Sequence, residues 1–146
     1  MSPHPALDPR SWTVLYDADC GFCRWSLGVV LRADRRRRLR PVPLQSPEAT
    51  VLLADLSPEE RMASWHLISP AGGRRSAGDA IPALAALLPG GRIAAAGLKR
   101  TGPLNRRGYR WVAEHRSLLG RPISEHAKRR ADELIAARAA GRRPDG

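Results

Sequence analysis

Residues 12–23 read Trp12-Thr13-Val14-Leu15-Tyr16-Asp17-Ala18-Asp19-Cys20-Gly21-Phe22-Cys23. The first five, rich in β-branched and aromatic side chains, predict a buried strand over 12–16. Asp17 to Asp19 form a short polar turn. From Gly21 to Ala33 the pattern becomes helical. Phe22, Trp25, Leu27, Val29, Val30 and Leu31 cover much of the circumference, which predicts a helix buried on most sides. The run Asp34 to Arg38 ends this helix with positive charge where the macrodipole favours it. Leu39 to Leu44 predicts a second strand, and Pro41 and Pro43 place it near an edge. Strand, helix and strand in this spacing make a βαβ unit with a right-handed crossover.

Downstream, Ser46-Pro47 is an N-cap followed by proline at the first helical position and opens a helix to about Asp55. Ser57-Pro58-Glu59-Glu60 has the capping-box pattern. Residues 64–69 predict a third strand, Pro70 to Gly73 a turn, and Arg74 to Ala77 a hairpin strand. Gly78-Asp79 leads into a helix over Ala80 to Leu88, with Pro82 in its first turn, and Pro89-Gly90-Gly91 stops it. The remainder is helical by composition, with segments at Tyr109 to Leu119 and Ser124 to Ala140. The order β-α-β-α-β-β-α is that of the thioredoxin fold. The expected class is therefore α/β, a three-layer fold with a mixed central sheet and an extra C-terminal helical extension. The expected division is a disordered arm over 1–11, a domain over 12–116 and a basic extension over 117–146, fraying from Gly141.

The 146 residues, 42% of them hydrophobic, suit one core. Met1 to Arg10 has prolines and no apolar run, so it does not read as a secretory signal. The most apolar stretch, Ile81 to Leu98, is interrupted by Pro89, Gly90, Gly91 and Arg92, and no transmembrane segment is expected. The expected location is cytoplasmic. A formal charge of +11 brings nucleic acid or an anionic membrane into consideration as partners. Most of that charge is arginine and much of it lies in the C-terminal third, where a solvated, solubilising surface is the default. The alternative to an enzyme is a non-catalytic binding module that uses this basic surface for an anionic partner.

The chain has two cysteines, Cys20 and Cys23. The loop between them is too short for a structural staple, so they form a reactive pair or half of a metal site. The histidines His4, His66, His115 and His126 offer no pair at ligand spacing, and no metal is expected. His66 reads as a strand residue satisfied by hydrogen bonds. His115 and His126 read as helix-surface residues. Disulfide exchange needs a thiolate that attacks and a second thiol that reaches the mixed disulfide. A helix starting at Cys20 stabilises an anion there, and Cys23 follows one turn in on the same face. Cys20 is thus the expected attacking thiol and Cys23 the resolving one, with no organic cofactor. Gly21 allows a tight entry turn. Asp17 and Asp19 add like charge that opposes the helix field. Asp19 is read as a turn residue or a cap, and Asp17 as an acceptor for the Cys23 proton. Phe22 is read as a hydrophobic lid or a core contact. Trp25 is read as core packing or as a wall of the thiol pocket. Trp12, Trp65 and Trp111 are expected at the core or its edge.

Tyr16-Asp17-Ala18-Asp19-Cys20-Gly21-Phe22-Cys23 resembles the signature of the DCC family of thiol–disulfide oxidoreductases, named for the arrangement seen here in Asp19, Cys20 and Cys23. Ser76-Ala77-Gly78-Asp79-Ala80 matches a second part of its pattern. Gly90-Gly91 with Tyr109-Arg110-Trp111 and His115-Arg116 matches a third. The resemblance runs from about Trp12 to Arg116. It implies a thioredoxin-like fold and a redox activity but supplies no substrate; the expected partner of the thiol pair is a protein or small-molecule thiol or disulfide. Thioredoxins proper carry a cis-proline facing the CxxC pair. Met62-Ala63-Ser64 stands in that region here, without a proline.

Overall fold

The computed structural model describes residues 9–141. Strand β1 (Trp12–Tyr16) is central, with β2 (Leu39–Pro43) on one side and β3 (His66–Ile68) then β4 (Arg74–Ser76) on the other. β2 runs parallel to β1 in the register Trp12 to Leu39 through Tyr16 to Pro43. β3 is antiparallel to β1, and β4 is antiparallel to β3. This mixed four-stranded order is the thioredoxin-like arrangement expected from the sequence. β2 does lie at an edge. Leu44 N–H donates to the Tyr16 carbonyl at 2.8 Å, so alternate residues of β2 face β1. Pro41 and Pro43 fall on the other alternation, where the missing N–H leaves no ladder bond unmade.

Alternation along β1 sorts the core into two sides. Val14 and Tyr16 pack with Leu67 against Leu27 and Leu31 of α1 (Gly21–Ala33), Leu87 of α4 (Ile81–Leu87) and Ile135 of α7 (Glu125–Ala139). Leu15 faces the other way, with Val42, Ile68 and Ala49 of α2 (Pro47–Leu52) and the nearby Leu53. Helices on both faces of the sheet give three layers. The caps at the sequence-marked helix starts are made as expected. Ser46 Oγ accepts the Ala49 N–H. Ser57 and Glu60 exchange both bonds of a capping box at the start of α3 (Pro58–Met62).

Several expectations are corrected. α1 is an amphipathic helix rather than a buried one: Leu27, Gly28 and Leu31 are buried, but Val29 is 43% exposed. The third strand is confined to His66–Ile68 and the hairpin strand to Arg74–Ser76. The expected helix over Ala80 to Leu88 is a 3₁₀ turn (Ala77–Ala80) leading into α4. A separate helix α5 (Gly91–Arg100) follows the Pro-Gly-Gly break. α6 (Gly102–Gly120) starts well before Tyr109, with Pro103 in its first turn. It packs on the 3₁₀ turn and on α1. Trp111, expected at the core or its edge, is 55% exposed.

The largest correction concerns α7. Instead of a solvated helix, it docks along α1 with Ala131 and Ile135 buried. The two helices touch where Gly28 faces Ala131. A Cβ added at Gly28 would lie 2.6 Å from the Ala131 Cβ, so only glycine permits this approach. Arg138 of α7 reaches Asp34 at the C-cap of α1, with Nη1 to Oδ2 at 2.7 Å. The arm expected over 1–11 and the fraying expected from Gly141 fall largely on residues 1–8 and 142–146, outside the described residues.

His66 is the buried polar residue of β3. Its Nε2 lies 3.0 Å from the Arg61 carbonyl and its Nδ1 2.6 Å from Ser76 Oγ. A carbonyl only accepts, so Nε2–H donates to it and Nδ1 accepts from the Ser76 hydroxyl. That is the neutral imidazole, and burial holds the His66 pKa below its usual 6.5. A depressed histidine pKa contributes stability that is present above pH 6.5 and lost as pH falls through the folded value. The melting temperature is therefore expected to fall on acidification from pH 7.5 to 5, and less steeply in His66→Leu. An equally steep fall in that variant would assign the acid sensitivity elsewhere.

Candidate active site

The end of β1 delivers Asp17, and the turn that follows delivers Cys20 to the start of α1. Cys20 is extended (φ −97°, ψ 110°) and is itself the N-cap, its Sγ accepting the Cys23 N–H at 3.3 Å. The cap assigned to Asp19 is thus made by Cys20. Asp19 is an exposed turn residue whose N–H donates to Asp17 Oδ1 at 3.0 Å. The first helical bond runs from Arg24 N–H to the Cys20 carbonyl at 3.0 Å, which puts Cys23 in the first turn.

The two thiols, both half-buried, open into different spaces. Cys23 lines an apolar cavity of about 270 Å³ walled by Leu27, Val30, Trp65, Leu84 and Val112. Met62 and Ser64, from the segment that carries no proline, line this cavity together with Cys23. Cys20 lines a more polar groove of about 410 Å³ with Gly21, Gly120, Arg121 and Lys128. Asp17, Phe22 and Arg116 border both spaces and form the partition between them. Phe22 is half-buried there, with its ring 6.1 Å from that of Trp25. Trp25 lines neither of these two spaces.

Burial pushes the Cys23 thiol up to about 12; the hydrogen bond with the Cys20 side chain and the nearby Asp17 charge act in the same direction, and Arg116 opposes them. Cys23 is thus protonated at neutral pH. Asp17, with a side chain only 13% exposed, is held on several sides. Gln45 Nε2 donates to its Oδ1 at 2.8 Å, and Arg116 lies 3.6 Å from its Oδ2. Gln45 also bridges to Asp19 Oδ2 at 3.3 Å. Tyr109 closes the cavity on the α6 side, its hydroxyl oxygen accepting the Trp65 N–H at 3.4 Å.

The structure thus brings together Asp17, Asp19, Cys20, Gly21, Phe22 and Cys23, and adds Gln45, Tyr109, Arg116 and Lys128. Tyr109 and Arg116 fall inside stretches already matched to the DCC pattern, which carries no information on their neighbours. Gln45 and Lys128 had no local signal. Gln45 follows an edge strand, and Lys128 lies on a helix otherwise read as solvated. Among the described residues, no group of three or more His, Cys, Asp or Glu side chains is gathered as a metal site. No helix among them is long and apolar enough to cross a membrane.

No curated protein and no solved structure matches the chain. The sequence profile described as DCC1-like thiol-disulfide oxidoreductase matches residues 14–122, which include the end of β1, both cysteines, the cavity walls and α6, and on that match the chain belongs to the DCC1-like thiol-disulfide oxidoreductase family.

Proposed function

We propose that the protein exchanges a dithiol for a disulfide with a protein or small-molecule partner, Cys20 attacking and Cys23 resolving. The observation that carries this reading is the asymmetry of the pair: Cys20 caps the helix and opens to the groove, whereas Cys23 is held protonated against the cavity. The N–H of Cys23 is aimed at Cys20 Sγ. Such a bond is strongest to the sulfur anion that attacks and leaves during exchange. Phe22 covers the boundary between the thiols, and Gly21 keeps the approach to Cys20 low.

Resolution requires the Cys23 proton to leave. Asp17 borders the same cavity and its charge acts on Cys23, which supports it as the acceptor, with Gln45 and Arg116 holding its carboxylate. Arg116 lowers the cost of charge at Cys23. No organic group takes part in these steps, because both electrons pass between sulfur atoms.

The test is equilibration of the protein in glutathione redox buffers, with mass-spectrometric detection of the Cys20–Cys23 disulfide. A reversible intramolecular disulfide at roughly −270 to −120 mV is expected. Thiols that never form it would overturn the proposal.

A further inference from the structure

The groove at Cys20 is asymmetric in charge. On the β1–α1 side, Asp17 and Asp19 are engaged by Gln45, and Asp17 also by Arg116. On the opposite side are Arg121, just past α6, and Lys128 of α7. Arg121 is exposed and forms no ion pair among the described residues. The Lys128 side chain lies across Gly21. A Cβ placed on that glycine would be 3.4 Å from its Cε and 3.6 Å from its Nζ. Its side chain is only 19% exposed, and its one ion-pair partner, Glu125 at 3.2 Å, is itself 84% exposed. An ammonium beside Cys20 and a guanidinium on the same wall form a site for an anion close to the attacking sulfur. Lys128 lies beyond the family match at residues 14–122, so the match does not supply this feature.

We propose that the groove takes a disulfide bearing a carboxylate a few bonds from its sulfur, which Arg121 and Lys128 hold while Cys20 attacks. This rests on the exchange reading above. The Cys20 sulfur anion attacks R–S–S–R, whose S–S bond breaks as the Cys20–S–S–R bond forms, and RS⁻ leaves and takes a proton from water. The Cys23 sulfur, having given up its proton, displaces the second RS⁻. The protein dithiol is oxidised to the Cys20–Cys23 disulfide, and the substrate disulfide is reduced to two thiols. Arg121 and Lys128 act in recognition and touch no reacting atom.

The experiment is single-turnover reduction of three disulfides by the reduced protein, each rate divided by that of dithiothreitol with the same disulfide. The three are 3,3′-dithiodipropionate, 2-hydroxyethyl disulfide and cystamine, which carry carboxylates, hydroxyls and ammonium groups. Dithiodipropionate is expected to exceed the neutral disulfide by about tenfold at low ionic strength, with the ratio falling as salt is added. Arg121→Gln and Lys128→Gln each lower the ratio, and Lys128→Arg keeps most of it. The ratio is internal to each variant, so a loss of folded protein does not mimic the result. A ratio near one, a preference for cystamine, or a ratio untouched by both glutamine substitutions overturns the inference and leaves exchange standing. If none of the three disulfides reacts, the exchange reading itself fails and this inference falls with it.

Discussion

In Cys20→Ser, turnover of a disulfide substrate is expected to fall by about 10⁴-fold or to the uncatalysed background, because the proposed exchange then lacks the nucleophile of its first step. Cys23→Ser behaves differently. Its Cys20 still attacks, but the mixed disulfide has no internal thiol to resolve it, so a covalent adduct accumulates on Cys20 and is read by intact mass. The asymmetry follows from the environments. Cys20 opens to the groove, while burial holds Cys23 at about 12. Below that value the Cys23 thiolate fraction rises tenfold per pH unit. In the wild type the decay of the mixed disulfide is therefore expected to speed up with pH through the neutral range, while adduct formation by Cys23→Ser does not share that dependence on Cys23. An adduct that accumulates on Cys23 in Cys20→Ser, with none on Cys20 in Cys23→Ser, would reverse the roles.

Asp34→Ala is expected to destabilise the fold by about 3–5 kcal/mol, the cost of leaving a buried charge without its partner. Asp34 is 1% exposed. Its carboxylate accepts the N–H of Arg38 at 3.1 Å and of Leu39 at 2.9 Å, in addition to Arg138 Nη1 at 2.7 Å. Removing it orphans two backbone donors at the α1–β2 junction and strips the buried Arg138 guanidinium of its counter-charge. Arg138 also donates to the Leu31 carbonyl at 3.0 Å, so the pair fastens the end of α1 to both neighbours. For a chain of this size the loss corresponds to a melting temperature lower by roughly 10–20 °C. Denaturant titration of Asp34→Ala and Arg138→Ala measures it directly. A change under about 1 kcal/mol in both would mean that α7 is not docked in solution.

The β1–turn–α1 unit was legible because its signals are local. Five β-forming residues precede a polar turn and a helix start, and two prolines sit where an edge strand tolerates them. Local chemistry likewise marked Ser46 and Ser57 as caps, since a capping bond spans only three residues. The CxxC pair was legible for the same reason. Its own helix start presents it, and the cap proved to be Cys20 because the thiol reaches the Cys23 N–H within one turn.

What only the tertiary structure decided lies between residues far apart in the chain. The docking of α7 depends on Gly28 against Ala131 and on Asp34 with Arg138, separated by 104 positions, and neither pair leaves a periodic trace in its own segment. Ala131 is too small to mark an apolar stripe, and an arginine reads as solvated wherever its partner is out of sight. The same holds for Lys128, whose place across Gly21 follows from that docking. By itself the sequence determined the order of elements along the chain, the helix that presents the thiols and the CxxC spacing of the two cysteines, because each is written in contiguous residues with a fixed period or spacing. The cavity at Cys23, the cationic wall of the Cys20 groove and the docking of α7 were decided by packing, because they arise only where helices from opposite ends of the chain meet.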